Sequence, residues 1–187
     1  VHNLPGVGAN LQDHYVARVS HRVHHAKSIN SLSRGTNLLK ELATWAFSGK
    51  GALTFGVTSA MVFSRSRDGL SSPDLQLLFT PASYSERTLG KLEQEDGMTV
   101  AVCPVRPASR GTIMAMSSDP FVRPEIRPNY LSDPDDVRVL LAGIQQTREI
   151  FSQPALQRYS RNETAPGIQI QTSEELESFA RENGSII

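Results

Sequence analysis

The sequence has no histidine beyond His25: all five (His2, His14, His21, His24 and His25) fall in the first 25 of 187 positions. Chemistry that needs an imidazole cannot draw one from residues 26–187. A single cysteine, Cys103, excludes a disulfide framework and a Cys-rich zinc or iron–sulfur site. Lys+Arg and Asp+Glu both number 19, so the formal charge is zero and gives no general electrostatic reason to bind nucleic acid or an anionic membrane. No apolar run approaches the roughly 20 residues that cross a bilayer, and no charged-then-apolar signal segment opens the chain. There is no internal repeat and no low-complexity tract. The start at Val1 rather than Met reads as a piece of something longer.

The hydrophobic pattern changes period several times. From Tyr15 to His24, Ala17, Val19, His21 and Val23 alternate with Arg18, Ser20, Arg22 and His24, the period of a half-buried strand. Over Asn37–Phe47, Leu38, Leu39, Leu42, Trp45 and Ala46 form a helical stripe that Gly49 and Gly51 end. Residues 53–63 and 75–80 read as strands separated by turns. Met98–Val105 and Thr112–Ser117 read as two further strands, with Arg106–Gly111 as their hairpin connection. Six of the eleven prolines lie between Pro104 and Pro134, which makes that stretch extended rather than helical. Asp133 can cap a helix that Pro134 opens, with Asp135 and Asp136 at the positive end of its dipole. Its stripe is Val137, Leu140, Leu141, Ile144 and Ile150. A last helix starts at the capping pair Thr172 and Glu175 and runs to about Glu182. Grouped antiparallel strands with separate helices give an α+β fold.

Few residues carry an unambiguous chemical signal. The Gly6-Val7-Gly8 segment lacks the third glycine of a dinucleotide fingerprint, where Leu11 stands, and reads as a structural turn. His21, His24 and His25 could form a metal cluster, but His24 and His25 point to opposite faces of a strand and cannot easily share a metal, and His21 and His25 could only if the strand carries on; a solvated strand end is the preferred reading. Cys103, within an apolar strand, reads as a buried small hydrophobe rather than a nucleophile. Asp13-His14 has no serine partner in a nucleophile elbow. Arg106, Arg110, Arg123 and Arg127 could bind an anion, but pairing with Asp119, Glu125 or backbone carbonyls is favoured. Asn162-Glu163-Thr164 and Asn183-Gly184-Ser185 read as chance matches to the glycosylation pattern.

Longer motifs go further. Pro5-Gly6-Val7-Gly8-Ala9-Asn10-Leu11-Gln12-Asp13-His14 resembles a segment of the glucose–methanol–choline (GMC) flavin oxidoreductases. A second match runs from Arg106-Pro107 and Ser109-Arg110-Gly111 through Ser118-Asp119-Pro120 and Pro124 to Pro128-Asn129-Tyr130-Leu131-Ser132. It continues through Asp136 to Gly143-Ile144 and Arg148-Glu149-Ile150. Pro73-Asp74-Leu75-Gln76 and Pro166-Gly167 also resemble the family, in the right order.

The resemblance implies an FAD-dependent enzyme that oxidises an alcohol CH–OH group, with hydride passing to the flavin and a histidine taking the hydroxyl proton. It places this chain over the substrate-binding half, an antiparallel sheet flanked by helices, without the FAD-binding domain. Residues 1–14 are then the junction to that missing domain and 15–187 the substrate-binding domain. The catalytic histidine is expected C-terminal to Ile187, in a His-Pro-x-Gly-Thr segment, so no catalytic residue is assigned within the chain and the piece alone is expected to be inactive and colourless. Asn10, Asp13 and His14 are expected to hold the junction, with a flavin contact by the backbone of Gly8 to Asn10 as the weaker assignment. Choline-oxidising members carry a glutamate in a Glu-Ala-Gly-Gly-Phe stretch, where this chain has Ser59-Ala60-Met61-Val62-Phe63. Ser59 offers a quaternary ammonium neither charge nor ring, so the expected partner is an uncharged small-molecule alcohol. The remaining expectations are the FAD domain of the same chain as partner, a homodimer through the face that domain would cover, no nucleic acid, no membrane span and a cytoplasmic location. The alternative is a non-catalytic, free-standing binding module that kept the fold.

Overall fold

The structure is a computed structural model that describes residues 2, 4–85 and 90–186. The extreme ends of the expected junction and substrate segments, Val1 and Ile187, lie outside the described residues. The elements are β1 (Tyr15–Val23), α1 (Ile29–Leu32), α2 (Gly35–Ser48), β2 (Ala60–Ser64), β3 (Leu75–Thr80), β4 (Gly97–Pro104), β5 (Thr112–Met114) and β6 (Glu125–Arg127). They continue with α3 (Pro134–Ser152), α4 (Pro154–Gln157), β7 (Ser160–Ala165), α5 (Ser173–Asn183) and β8 (Ser185–Ile186). Strand order is β2-β3-β4-β1-β7, all antiparallel, with β8 beside the start of β1; β5 and β6 form a separate ribbon. An antiparallel sheet flanked by helices is the α+β architecture that the pattern predicts.

Alternation along β1 decides which side is the core. Ala17 lies opposite Val102, Val19 opposite Val100 and His21 opposite Met98, while β3 adds Leu77 beside Val102. This face is covered by α3, whose Leu140, Ile144 and Phe151 are buried against it. Each such side chain contributes roughly 1.5–3 kcal/mol by leaving water. The helix comes closest at Gly143, where a β-carbon would sit 2.4 Å from Val102 Cγ1 and 2.8 Å from Leu75 Cδ2.

Helices α3 and α5 start where their caps predict. Asp133 accepts from the Asp135 amide at 2.8 Å, and Thr172 and Glu175 exchange both bonds of a capping box. Asp136 does more than favour the dipole. Its two carboxylate oxygens accept from the Ala108 and Ser109 amides at 2.7 and 2.8 Å, tying the 106–111 segment to α3. Tyr15 donates to the Ala180 carbonyl at 2.8 Å and joins α5 to β1.

Two expectations are corrected. Residues 98–105 and 112–117 do not form a hairpin, because β1 and β3 already occupy both edges of β4; β5 pairs with β6 instead. Residues 53–63 are not one strand: a 3-10 turn at Ala52–Thr54 precedes β2, which begins at Ala60. The apolar stripe of α2 contributes no fully buried residue and leaves Leu39, Leu42 and Trp45 exposed.

His21 is buried beneath α3, not solvated. Its Nδ1 shares a 2.6 Å hydrogen bond with Ser160 Oγ, and its ring packs on Phe151 at 4.2 Å between centroids. Nε2 lies 3.8 Å from Glu163, whose carboxylate is taken by Arg148. Burial lowers the His21 pKa, and the nearby Glu163 only partly restores it. A folded-state pKa below the unfolded value means that protonation favours unfolding, so this group's contribution is complete above about pH 6.5 and is lost as pH falls. Denaturation midpoints should therefore drop between about pH 6.5 and 5, and the His21→Gln variant should show a smaller drop over that window. Gly143→Ala should destabilise the protein by about 1–2 kcal/mol in urea denaturation, because overpacking against Val102 outweighs the gain in helix propensity.

Candidate functional site

The second face of the sheet carries the other half of the alternation. Arg18, Ser20 and Arg22 of β1, Thr99 and Ala101 of β4 and Leu78 and Thr80 of β3 point away from α3. They line a concavity of about 920 Å³, which is closed at one side by Thr164 of β7 and by the Asn183–Ser185 turn. Ser20 and Thr99 hydroxyls pair at 2.9 Å, and Thr164 donates to the Ser20 carbonyl at 3.2 Å. Arg22 grips Glu93, with one bond of 2.9 Å from Nη2 to Oε1. Burial alone would raise the Glu93 carboxyl, but hydrogen bonds from Arg22 and Ser83 outweigh it and hold the group below its usual range. Arg18 donates to Ser185 Oγ at 2.7 Å. Burial pushes the Tyr84 phenol up, and the Arg18 cation beside it pulls it partly back.

The residues singled out in the sequence do not converge on this concavity. Gly8 adopts φ +83°, and a β-carbon there would meet the Ile113 carbonyl oxygen at 2.1 Å. Ile113 donates to the Gly8 carbonyl at 2.8 Å, and Leu11 and Gly111 exchange backbone bonds. The glycine is thus required by β5, which fills the space where a phosphate cradle would open. Asn10 is exposed. Asp13 accepts from the Tyr130 hydroxyl at 2.8 Å, and the His14 ring donates to the Val105 carbonyl at 3.2 Å. Desolvation together with Asp13 pushes the Tyr130 phenol up to about 12. Ser59 is exposed just before β2 and donates its amide to the Phe79 carbonyl; its neighbours Val57 and Thr58 line the concavity.

The blander readings fare as follows. Cys103 is fully buried, and burial with Asp13 nearby pushes its thiol up to about 11, which leaves no thiolate for nucleophilic work at neutral pH. Arg106 donates to Ser72 Oγ and the Pro73 carbonyl, and Arg110 to the carbonyls of Pro107, Ala108 and Ser109. Arg127 pairs with Glu125. His24 meets the Arg158 carbonyl, and no group of three or more His, Cys, Asp or Glu that could hold a metal forms among the described residues. No helix among them is long and apolar enough to cross a membrane.

Sequence reasoning missed the open face. Arg18, Ser20 and Arg22 read as a solvated strand face, and β7 and β8 had no strand signal at all. Alternation alone carries no signal for it, because one face of an antiparallel sheet can be solvated and the pattern does not show what borders that face.

The GMC oxidoreductase family model matches residues 107–186. The chain is 36% identical over 181 residues to the oxygen-dependent choline dehydrogenase of Pectobacterium carotovorum subsp. carotovorum (strain PC1), and 37% identical to that of Pseudomonas aeruginosa (strain LESB58). Each match covers 97% of this chain and 32% of the relative. The chain belongs to the GMC oxidoreductase family. It spans about a third of the length of these curated GMC relatives. Two solved structures share the fold. A variant of Aspergillus oryzae RIB40 formate oxidase superposes with a TM-score of 0.82 at 19% identity, over 96% of this chain and 36% of that one. An FAD-dependent oxidoreductase from Chaetomium thermophilum gives 0.73 at 22%, over 98% and 38%. Across this GMC chain, then, the segment around Gly8 builds local structure while the sheet's second face stays open.

Gly8→Ala should detach residues 4–11 from β5, since both the positive φ and the Ile113 oxygen oppose a side chain. Hydrogen exchange at the Leu11, Gly111 and Ile113 amides should accelerate on the order of tenfold or more.

Proposed function

We propose that this chain is the substrate-binding part of a flavin-dependent oxidoreductase that oxidises the CH–OH group of a small alcohol. Residues 15–187 form the substrate domain, and residues 1–14 form its junction to a flavin-binding part. The observation that carries this reading is the row Arg18, Ser20 and Arg22 on the central strand, half-buried at the floor of a 920 Å³ concavity. Such a floor of hydroxyls and guanidinium groups can orient a small polar molecule and, once covered, keep water from it. The flavin, when bound, supplies the hydride-accepting chemistry.

The chain's own residues would position the alcohol rather than take its proton. No histidine is among the residues lining the concavity: His21 lies on the opposite face of the sheet and His14 is bound to Val105. This supports a base that comes from sequence beyond Ile187. The filled space behind Gly8 supports a flavin held elsewhere, with the exposed Asn10 left to contact the flavin-binding part. Exposed apolar groups, among them Trp45 at 53%, Phe47 at 92% and Phe55 at 64%, favour a piece of a larger assembly over a free-standing module. The partner that covers such surfaces is the remainder of the same protein; alone, the chain should self-associate through them.

The homologous choline dehydrogenases act on a cationic alcohol. This chain has Ser59 where choline-oxidising members carry glutamate, and its concavity presents Arg18 while Arg22 neutralises Glu93. We therefore assign it an alcohol without a cationic head group. In the full-length flavin-loaded protein, uncharged alcohols should bleach the flavin's visible absorbance, and choline should do so at least tenfold more slowly. Faster bleaching by choline would overturn the charge assignment, and bleaching by no alcohol would overturn the reaction class. The isolated chain should be colourless; stoichiometric flavin on it would overturn the placement of the domain.

A further inference from the structure

The two arginines on the open face differ in how they are satisfied. Arg22 forms a two-pronged pair with Glu93. Arg18, two residues earlier on the same face, donates one hydrogen bond, to the neutral hydroxyl of Ser185. Among the described residues no carboxylate lies within 4.0 Å of it. Glu182, the other carboxylate lining the concavity, is exposed at its rim and accepts from Ser178.

A guanidinium carries five N–H donors in a planar fork and cannot lose its charge at any physiological pH. Half-buried with one neutral partner, it keeps donors directed at the concavity whose floor it forms. Among the described residues the arrangement is therefore electrostatically incomplete: a cation without a counter-charge, in a concavity that Ser20, Thr99, Thr164, Ser185 and Tyr84 also line. The ligand group that completes it is planar, accepts two hydrogen bonds and carries one negative charge. A phosphate dianion fits less well, since Arg22 is already neutralised and Arg18 is the one cation lining the concavity that lacks a carboxylate partner among the described residues.

Resting on the reading of this face as the alcohol site, we infer that Arg18 is a specificity-determining residue that anchors a carboxylate of the substrate, so that the alcohol oxidised is a small hydroxy acid. This moves the expectation of an uncharged alcohol one step further from choline: the head group is excluded by charge, and the opposite charge is selected.

The test uses the full-length flavin-loaded protein and Arg18→Met and Arg18→Lys variants. Substrates are a series of hydroxy acids of increasing length, from glycolate to 4-(hydroxymethyl)benzoate, each against its uncharged amide. The wild type should prefer the best acid over its amide in kcat/KM. That preference should fall on the order of tenfold to a hundredfold in Arg18→Met, the scale of one lost charge-assisted hydrogen bond. Arg18→Lys, which keeps the charge and loses the fork, should retain part of it. A ratio near one in the wild type, or a ratio unchanged in Arg18→Met, overturns the assignment. Calorimetric titration with propionate against propionamide reads the anion site without turnover. Propionate binding that disappears in Arg18→Met upholds the site even if no alcohol reduces the flavin, in which case the oxidoreductase reading fails and the anion site stands. Equal binding of propionate and propionamide overturns it.

Discussion

Everything in this structure depends on one strand having neighbours on both sides. β1 pairs with β4 along six residue positions and with β7 on its other edge, while β8 adds to its first two residues. Antiparallel pairing fixes the register, and a two-residue side-chain period then sends alternate residues to opposite faces. Ala17, Val19 and His21 go under α3; Arg18, Ser20 and Arg22 go to the concavity. The same nine residues thus build the floor of the core and the floor of the candidate site. A slip of one residue would bury two arginines and expose the core row, so core packing enforces the site's geometry.

The helix that holds this register is itself held from outside the sheet. Asp136 takes the Ala108 and Ser109 amides, and Ser109 Oγ in turn accepts from the Asp133 amide at 3.0 Å. Each bond to a charged acceptor contributes on the order of 1.5–3 kcal/mol, and together they dock the start of α3 onto the chain just as it leaves β4. Leu11 bridges to Gly111 next to that point, and Tyr130 reaches Asp13. The long second motif and the short first one therefore meet in space. Their residues form one joint, at the corner where β4, α3 and the N-terminal segment converge.

Local signals were legible where local chemistry decides the outcome. Thr172 with Glu175, Asp133 with Pro134, and the alternation in β1 each announce an element whose start is set within four residues, and each lies where its pattern predicts. What stayed hidden was set at long range. The 106–111 segment has the composition of a hairpin turn and is none, because the edges of β4 are filled by strands about 80 and about 20 residues earlier in the chain, facts no short window of sequence contains. Ser160–Ala165 is too polar to read as a strand, yet it pairs with β1 and contributes Thr164 to the concavity. The α2 stripe is legible as a pattern, and periodicity shows that a face is apolar without showing what covers it.

The histidines follow from the same parity. His21 is an odd-numbered residue on β1, so it shares the face of Ala17 and Val19 and is buried with them, its ring against Phe151. There its proton affinity is lowered by burial, and its neighbours Ser160 and Glu163 are held by the network that Arg148 organises. That combination of a buried imidazole, a hydroxyl and a carboxylate has the parts of an acid–base site and the wrong address, because the sheet itself lies between it and the concavity. The polar residues that can meet a ligand are those of even number, and their chemistry is binding rather than proton transfer: hydroxyls that orient, one guanidinium that is neutralised and one that is not. A site of this kind can select and hold a molecule; under the proposed function, the proton acceptor and the electron acceptor come from elsewhere in the protein.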